Sequence, residues 1–257
     1  MKSISWTDFV QDHRYGDVPS AVTVGVFDGV HIGHQKLIGR ILEKGGLEPV
    51  IVTFLENPSK FFHPRGFLGN ISTLEQKLAY FDYHGAGLVI LIDFSPDFSK
   101  LSGRRFIRLI SEHLGLRYLA VGVNFHCGRD NDTNAFDIKE MLEESRIGVD
   151  IIDPVCYKGE RVSSTRIRKE LLRGNVEDVR KMLGKPYALD ISSRRSIRGS
   201  RIPLSVFEQI IPPAGEYRAG IKTYDKEIET VITIHSQFIE IPDIGTEIRE
   251  IDILENT

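Results

Sequence analysis

The chain has 257 residues, 41% of them hydrophobic and 27% charged, with a formal net charge of −3. That balance fits a soluble globular protein able to bury a sizeable core, and it carries no mark of a nucleic-acid or membrane binder. Two cysteines, Cys127 and Cys156, exclude a disulfide framework and suit a reducing compartment, so a cytoplasmic location is expected.

Residues 1–14 hold Asp8 and Asp12 and lack an apolar core, so they do not read as a signal peptide. Residues 21–26 form an apolar, β-branched run that predicts a buried strand. Phe27-Asp28-Gly29-Val30-His31-Ile32-Gly33-His34 follows directly, and helical periodicity starts at residue 35. Such a junction aims unpaired backbone N–H groups and the positive end of the helix dipole at one spot, which favours a phosphate. Gly33 leaves the backbone open to close approach. His31 and His34, three apart, can face one side of the first turn and offer donors to phosphate oxygens.

Further apolar runs at 49–54, 88–92, 118–122 and 149–153 predict four more strands, with helices over 35–44, 73–83, 100–114 and 136–146 between them. Strands alternating with helices imply parallel pairing through right-handed crossovers. The expected fold class is therefore α/β, a Rossmann-like domain with a five-stranded parallel sheet, which binds ligands beyond the carboxyl ends of its strands. The run at 88–92, the longest aliphatic one, is too short to span a bilayer.

Next comes Gly159-Glu160-Arg161-Val162-Ser163-Ser164-Thr165-Arg166-Ile167-Arg168, with Gly174 beyond it. The serines predict an N-cap and Gly174 a C-cap. Ser164 and Arg168 are four apart and Thr165 and Arg168 three, so hydroxyls and guanidinium share a helix face and form a second candidate anion site. From residue 186 the helical signal stops, and strand-like stretches at 217–223, 230–234 and 248–254 alternate with Pro212-Pro213, Gly215, Pro242 and Gly245. A small β domain is expected over 186–257, after a first domain over 1–185. The tail is net −4 and the front part net +1.

With both motifs in place, the chain resembles the adenylyltransferase half of the prokaryotic FAD synthetases, the bifunctional riboflavin kinase/FMN adenylyltransferase family. Gly25 to His31 with Gly33-His34-Gln35 is similar to that family's opening motif, and Asp93-Phe94 through Phe106, Gly122 to Phe125 with Gly128, and Arg161 to Arg168 to later blocks. Leu183 to Tyr187 is similar to its hinge into the kinase half. The chain also departs from the pattern. His126 and Cys127 stand where the family has Arg and Phe, and Glu56-Asn57-Pro58 replaces a frequent Pro-His-Pro. The kinase signature Gly-x-Pro-Thr-Ala-Asn has only Arg201-Ile202-Pro203-Leu204-Ser205-Val206 as its nearest equivalent. No counterpart of the catalytic Glu is found, and the tail after Lys185 reads as too short for a full kinase barrel.

The resemblance implies transfer of AMP from ATP to FMN, with ATP and FMN as substrates and Mg2+ accompanying the nucleotide. It places His31 and His34 on the ATP phosphates, and Ser164, Thr165, Arg168 and Arg161 on the departing pyrophosphate. Asn124 orients phosphate or FMN, Gly25, Phe27 and Asp28 shape the adenosine side, Gly33 admits the phosphate to the backbone, and Phe54 and Asn57 belong to the flavin region. The aromatic segment of Phe54, Phe61 and Phe62 offers faces for an isoalloxazine ring, with core or lid packing as the alternative. No protein metal site is expected. His63, His84, His113 and His235 read as ordinary histidines, with His84 ending a helix. Three rivals stay open: a working kinase half, a different phosphorylated acceptor, and a nucleotide-binding module without turnover. No P-loop, Gly-x-Gly-x-x-Gly, Cys-x-x-Cys or His-Glu-x-x-His supports other enzyme classes.

Overall fold

A computed structural model of the chain describes residues 1–11, 13–62, 64–192 and 200–257, so His63 lies outside the described residues. It divides into two compact units that are not contiguous in sequence. One comprises 1–27, 33–67 and 78–155; the other comprises 28–32, 68–77 and 156–257. Helices run over α1 Trp6–Gln11, α2 Ile32–Leu42, α3 Pro58–Phe62, α4 Leu74–Tyr83, α5 Gly103–His113, α6 Ala135–Glu143, α7 Ser164–Leu172 and α8 Val176–Leu183.

The first unit is built on a six-stranded, all-parallel sheet in the order Lys2–Ser5, Leu88–Ile92, Glu48–Phe54, Pro19–Val24, Gly115–Gly122, Gly148–Ile152. The central strands are buried along almost their whole length, as a parallel sheet covered on both faces requires. Val22, Val50, Val52, Ile90, Ile92, Leu119 and Val121 form its core with Phe9, Ile107 and Ile110. Each such side chain contributes ~1.5–3 kcal/mol relative to leaving it in water. The sheet corrects the five-strand expectation. Lys2–Ser5 pairs with Leu88–Leu91 at the edge, and its half-exposed Lys-Ser-Ile-Ser sequence holds no apolar run to announce it, because an edge strand is held mainly by backbone bonds. Helix starts follow local chemistry. Asn134 accepts from Phe136 N at 2.8 Å and Asp137 N at 3.2 Å, and Asp137 Oδ2 accepts from Asn134 N at 2.8 Å, a reciprocal capping box on α6.

The second unit holds a six-stranded antiparallel sheet, ordered Tyr187–Asp190, Ile248–Asn256, Gly215–Thr223, Glu227–Ile234, Phe238–Glu240, Arg201–Pro203. The three longest strands coincide with the predicted stretches; the three short ones carry too few residues to show a period. Tyr217, Ala219, Ile221, Ile232, Ile234, Ile251 and Ile253 make its core, joined by Ile167, Leu171, Val179 and Met182 from α7 and α8. Helix α8 ends at Gly184, whose φ of 73° is the left-handed conformation that glycine adopts without a Cβ penalty.

Candidate functional site

In the first unit the chain runs outward from Pro19–Val24 through Glu48–Phe54 to Leu88–Ile92, then returns to the opposite flank with Gly115–Gly122. Strand order thus reverses beside Pro19–Val24, where open α/β sheets leave a crevice beyond the strand ends. Thr23 Oγ1 donates to Ala120 O at 2.8 Å across this point. Gly25 N donates to Val52 O at 3.1 Å. A Cβ on Gly25 would meet the Phe27 ring at 3.0 Å, so the glycine is what lets that ring fold back. Phe27 is fully buried at φ 52°, a rare conformation for a bulky residue. Its ring meets that of His34 edge-on at 5.2 Å and that of Phe81 at 5.8 Å. Phe27 therefore orients His34, and only its backbone can serve a ligand. His34 and Gly33 lie in the first turn of α2.

Asn124 is exposed just after Gly115–Gly122, in a turn closed by Phe125 N donating to Gly122 O at 2.8 Å. Asn57 Oδ1 accepts from Ser59 N at 3.1 Å and opens the short α3. Phe54 lies 6.0 Å from Phe94 and 6.3 Å from Phe98. Phe61 and Phe62, 48% and 56% exposed, meet Phe94 at 5.4 and 5.1 Å. The result is an exposed aromatic patch. His84, as expected, follows a helix: it stacks on Tyr80 at 3.9 Å with Nδ1 2.8 Å from Tyr80 O.

The second unit carries the other half of the candidate residues. Asp28 is 4% exposed, and its Oδ1 accepts from Ile71 N at 2.9 Å and Ser72 N at 3.1 Å, while Oδ2 is paired with Arg168. Burial pushes the Asp28 carboxyl up, against the pull of Arg168 and the two amides. Gly29, at φ 81°, donates to Ser72 Oγ at 2.9 Å. Next, Val30 sits at φ 41°, where a β-branched residue is strained and needs its surroundings to hold it. His31 is 6% exposed, and burial lowers its pKa to about 4, the charge of Arg161 adding to the effect. It is a neutral imidazole at neutral pH, and a hydrogen bond to its own backbone opposes the burial.

Helix α7 supplies the partners of this loop. Ser163 caps it by accepting from Arg166 N at 3.3 Å. Ser164 Oγ donates to Asp28 O at 2.9 Å, and Arg168 Nε donates to Gly69 O at 3.0 Å. Thr165 is exposed in the first turn. Arg161 ends a two-residue ladder, Cys156–Tyr157 with Glu160–Arg161, whose central Lys158 and Gly159 take φ 51° and 77° as a tight primed turn demands. Arg166 braces that turn by donating to Tyr157 O at 2.9 Å and Glu160 O at 2.8 Å.

Within this unit the fold thus gathers Asp28, Ser164 and Arg168 into direct contact, with Arg161 close enough for its charge to act on His31. Part of Arg168, read from sequence as a phosphate ligand, is spent on Asp28 and Gly69. Sequence reasoning missed Ile71, Ser72 and Lys77. Lys77 is 5% exposed, and burial lowers its pKa to about 8 while Asp28 pulls it upward. A lysine within an otherwise ordinary helix pattern gives no hint of such burial.

The family described as FAD synthetase matches residues 15–166 of the chain. The chain is 32% identical over 188 residues to the bifunctional riboflavin kinase/FMN adenylyltransferase of Buchnera aphidicola from Schizaphis graminum, covering 71% of this chain and 59% of that protein. It is 29% identical over 197 residues to the protein of the same description from Escherichia coli K12, covering 74% and 62%. With the Bacillus subtilis counterpart it shares 28% over 212 residues, covering 77% and 66%. The matches therefore span about three fifths of these relatives' length. In fold, the chain is similar to a crystal structure described as a macrolide-efflux protein from Streptococcus pneumoniae, with TM-score 0.83 and 23% identity, covering 100% of this chain and 91% of that one.

Proposed function

As the chain belongs to the FAD synthetase family, we propose that it is an FMN adenylyltransferase, transferring AMP from ATP to FMN. An FMN phosphate oxygen attacks the α-phosphorus of ATP in line, the new P–O bond replaces the bond to the β-phosphate oxygen, and pyrophosphate leaves. No covalent enzyme intermediate is needed, so catalysis is alignment of two polyanions and stabilisation of the charge on the phosphorus oxygens.

The observation that carries this reading is the anchoring of the His31 loop on α7, through Ser164 to Asp28 O and Arg168 to the Asp28 carboxylate. Donors held in place before the ligand arrives stabilise developing charge without reorganising. His31 is assigned to the α-phosphate, and Arg161 and Thr165, both exposed, take the departing phosphates with Ser164. The committed contacts of Arg168 make its contribution partly that of an anchor. His34 and Asn124 are assigned to the phosphates and to FMN by their place in the motifs, and backbone groups of Gly25 and Phe27 to the adenosine. Asp28 supports these from its carboxylate, and Gly33 keeps α2 open to close approach. Mg2+ comes with the triphosphate. Among the described residues no three His, Cys, Asp or Glu side chains group to hold an ion, so phosphate oxygens and water would be its ligands, screening the negative charge.

The patch of Phe54, Phe61, Phe62 and Phe94, with Asn57 at its border, fits the flat isoalloxazine ring of FMN. Riboflavin kinase activity is proposed to be absent. Where the family has its Thr and Asn, the chain has Leu204 and Val206, and the segment forms the strand Arg201–Pro203 and the turn Leu204–Val206. On this reading the functional division stays at residue 185, and the protein works in the cytoplasm on small molecules. The test is chromatography of products from ATP with FMN and, separately, ATP with riboflavin. FAD and pyrophosphate from the first and no FMN from the second are expected. FMN from the second would restore bifunctionality, and no FAD from the first would remove the activity proposed.

A further inference from the structure

We infer that Gln209 is a positioning residue for the phosphate loop, and that the C-terminal sheet thereby serves the adenylyl transfer whatever its own chemistry. The inference rests on the proposed FMN adenylyltransferase reading. All of its parts lie in the second unit.

Gln209 is 5% exposed and stands in the connection between Arg201–Pro203 and Gly215–Thr223, bridged to Asn70. A buried primary amide must find partners for both its ends. Here Oε1 accepts from Asp190 N at 2.7 Å, while Nε2 faces Ala188 O at 2.8 Å, Ile71 O at 3.0 Å and Gln76 Oε1 at 3.2 Å. One end grips the sheet strand Tyr187–Asp190 and the other grips the segment 68–77. Backbone bonds reinforce the join, with Asn70 N donating to Glu208 O at 3.1 Å and Ile210 N to Asn70 O at 3.0 Å.

The segment so gripped is the one that holds Asp28. The same Ile71 whose carbonyl receives Gln209 donates its N–H to Asp28 Oδ1, Ser72 adds a second N–H, and Ser72 Oγ receives Gly29 N. Thr73 Oγ1 and Gln76 tie the following turn to Asp190 and Glu250 of the sheet. A continuous path therefore runs from the sheet through Gln209 and Ile71 to Asp28, three residues before His31. Peptide groups are rigid planes, so the carbonyl of Ile71 cannot be released without freeing the orientation of the Ser72 amide that follows it. Loosening this loop misplaces His31 against the α-phosphate. A displacement of about 1 Å at such a group costs on the order of 10²-fold in rate.

The test uses the protein with Gln209→Met, which keeps the volume and removes every side-chain hydrogen bond of Gln209. Expected are a kcat for FAD formation at least about tenfold lower and a KM for ATP changed less than about threefold, because the loss falls on the transition state. Faster hydrogen exchange is expected at the amides of Ile71 and Ser72, with none at the strand Pro19–Val24. Gln209→Glu keeps the acceptor for Asp190 N but faces Ile71 O and Ala188 O with a carboxylate, so it should not rescue kcat. His235→Ala, elsewhere on the same sheet, should leave kcat unchanged. A folded Gln209→Met protein with kcat within twofold of wild type overturns the inference, as does a fall in kcat that follows only the fraction unfolded. If Gln209→Met does not fold, Gln76→Met, which removes one Gln209 partner, is read by the same criteria. Should the wild type make no FAD, the function has failed by itself. The exchange rates at Ile71 and Ser72 then decide whether Gln209 holds the loop.

Discussion

The loop around Asp28 and the aromatic patch around Phe94 approach ligand binding in opposite ways. In the loop, a buried carboxylate, two backbone amides, a guanidinium and a hydroxyl are committed to one another before any ligand is present. In the patch, Phe61 and Phe62 are half in water and touch their neighbours ring edge to ring face. The difference follows from what each is proposed to bind. A triphosphate is recognised by directional donors whose value depends on being fixed in advance. A flavin ring is recognised by area, and an aromatic surface can adjust by rotamer at modest cost. The loop should therefore be intolerant of substitution and the patch forgiving.

Breaking the loop's ion pair should have the largest effect. Arg168→Leu strands the Asp28 carboxylate in a site that is 4% exposed, and removing one partner of a buried pair costs ~3–5 kcal/mol. Urea unfolding should show that loss, and adding Asp28→Leu should recover part of it, since the orphaned charge disappears. An Arg168→Leu protein that unfolds at the wild-type midpoint would mean the pair does not anchor the loop. His31→Leu, which removes the ring's hydrogen bonds, comes next. It should lower FAD formation by ~10²–10³-fold, the usual effect of removing one oxyanion donor, while the urea midpoint stays within experimental scatter of wild type. Turnover near wild type would take His31 out of the proposed chemistry.

How far the sequence reveals these features depends on where their causes lie. The strands at the centre of the parallel sheet were legible because burial on both faces forces a continuous aliphatic run. Lys2–Ser5 was not, since an edge strand needs only one partner and half a buried face. His31, Ser164 and Arg168 could be picked out because they sit at fixed offsets in local motifs. Ile71 and Ser72, which hold Asp28 and Gly29, and Gln209, which holds Ile71, contribute backbone groups, a hydroxyl and a single amide across 43 to 138 residues, and nothing in local spacing encodes such a meeting. Asp28 shows the limit most clearly. Its place in the motif marks it as important, yet nothing local announces that its carboxylate is committed to Ile71, Ser72 and Arg168.

The contrast also predicts a pH response confined to the loop. The pKa of His31 falls from 6.5 to about 4 on folding, so below pH 6.5 the unfolded chain takes up a proton that the folded chain refuses. His31 therefore leaves stability independent of pH above 6.5 and lowers it as the pH falls toward 4, to an extent on the order of 3 kcal/mol. Melting curves across that window should show the decline, and His31→Gln should flatten it. The rate of FAD formation should show no ionisation near pH 6.5 from this residue, because it is already neutral there. A rate profile with an inflection near 6.5 that His31→Gln abolishes would place His31 in a wetter setting than the one described.

The smallest effect belongs to the patch. Phe62→Ala removes a ring that is 56% exposed, so stability should change by no more than ~0.5 kcal/mol, as at most surface positions. Loss of one stacking face is worth ~0.5–1.5 kcal/mol, so KM for FMN should rise about two- to tenfold. The value of kcat should hold, because a stacked ring far from the reacting phosphorus binds ground state and transition state alike. Phe62→Trp should keep the wild-type KM, since area and not shape is what the ring supplies. Equal losses in kcat and kcat/KM on Phe62→Ala would reverse the assignment, making the patch part of the alignment machinery and no longer the tolerant partner of a rigid loop.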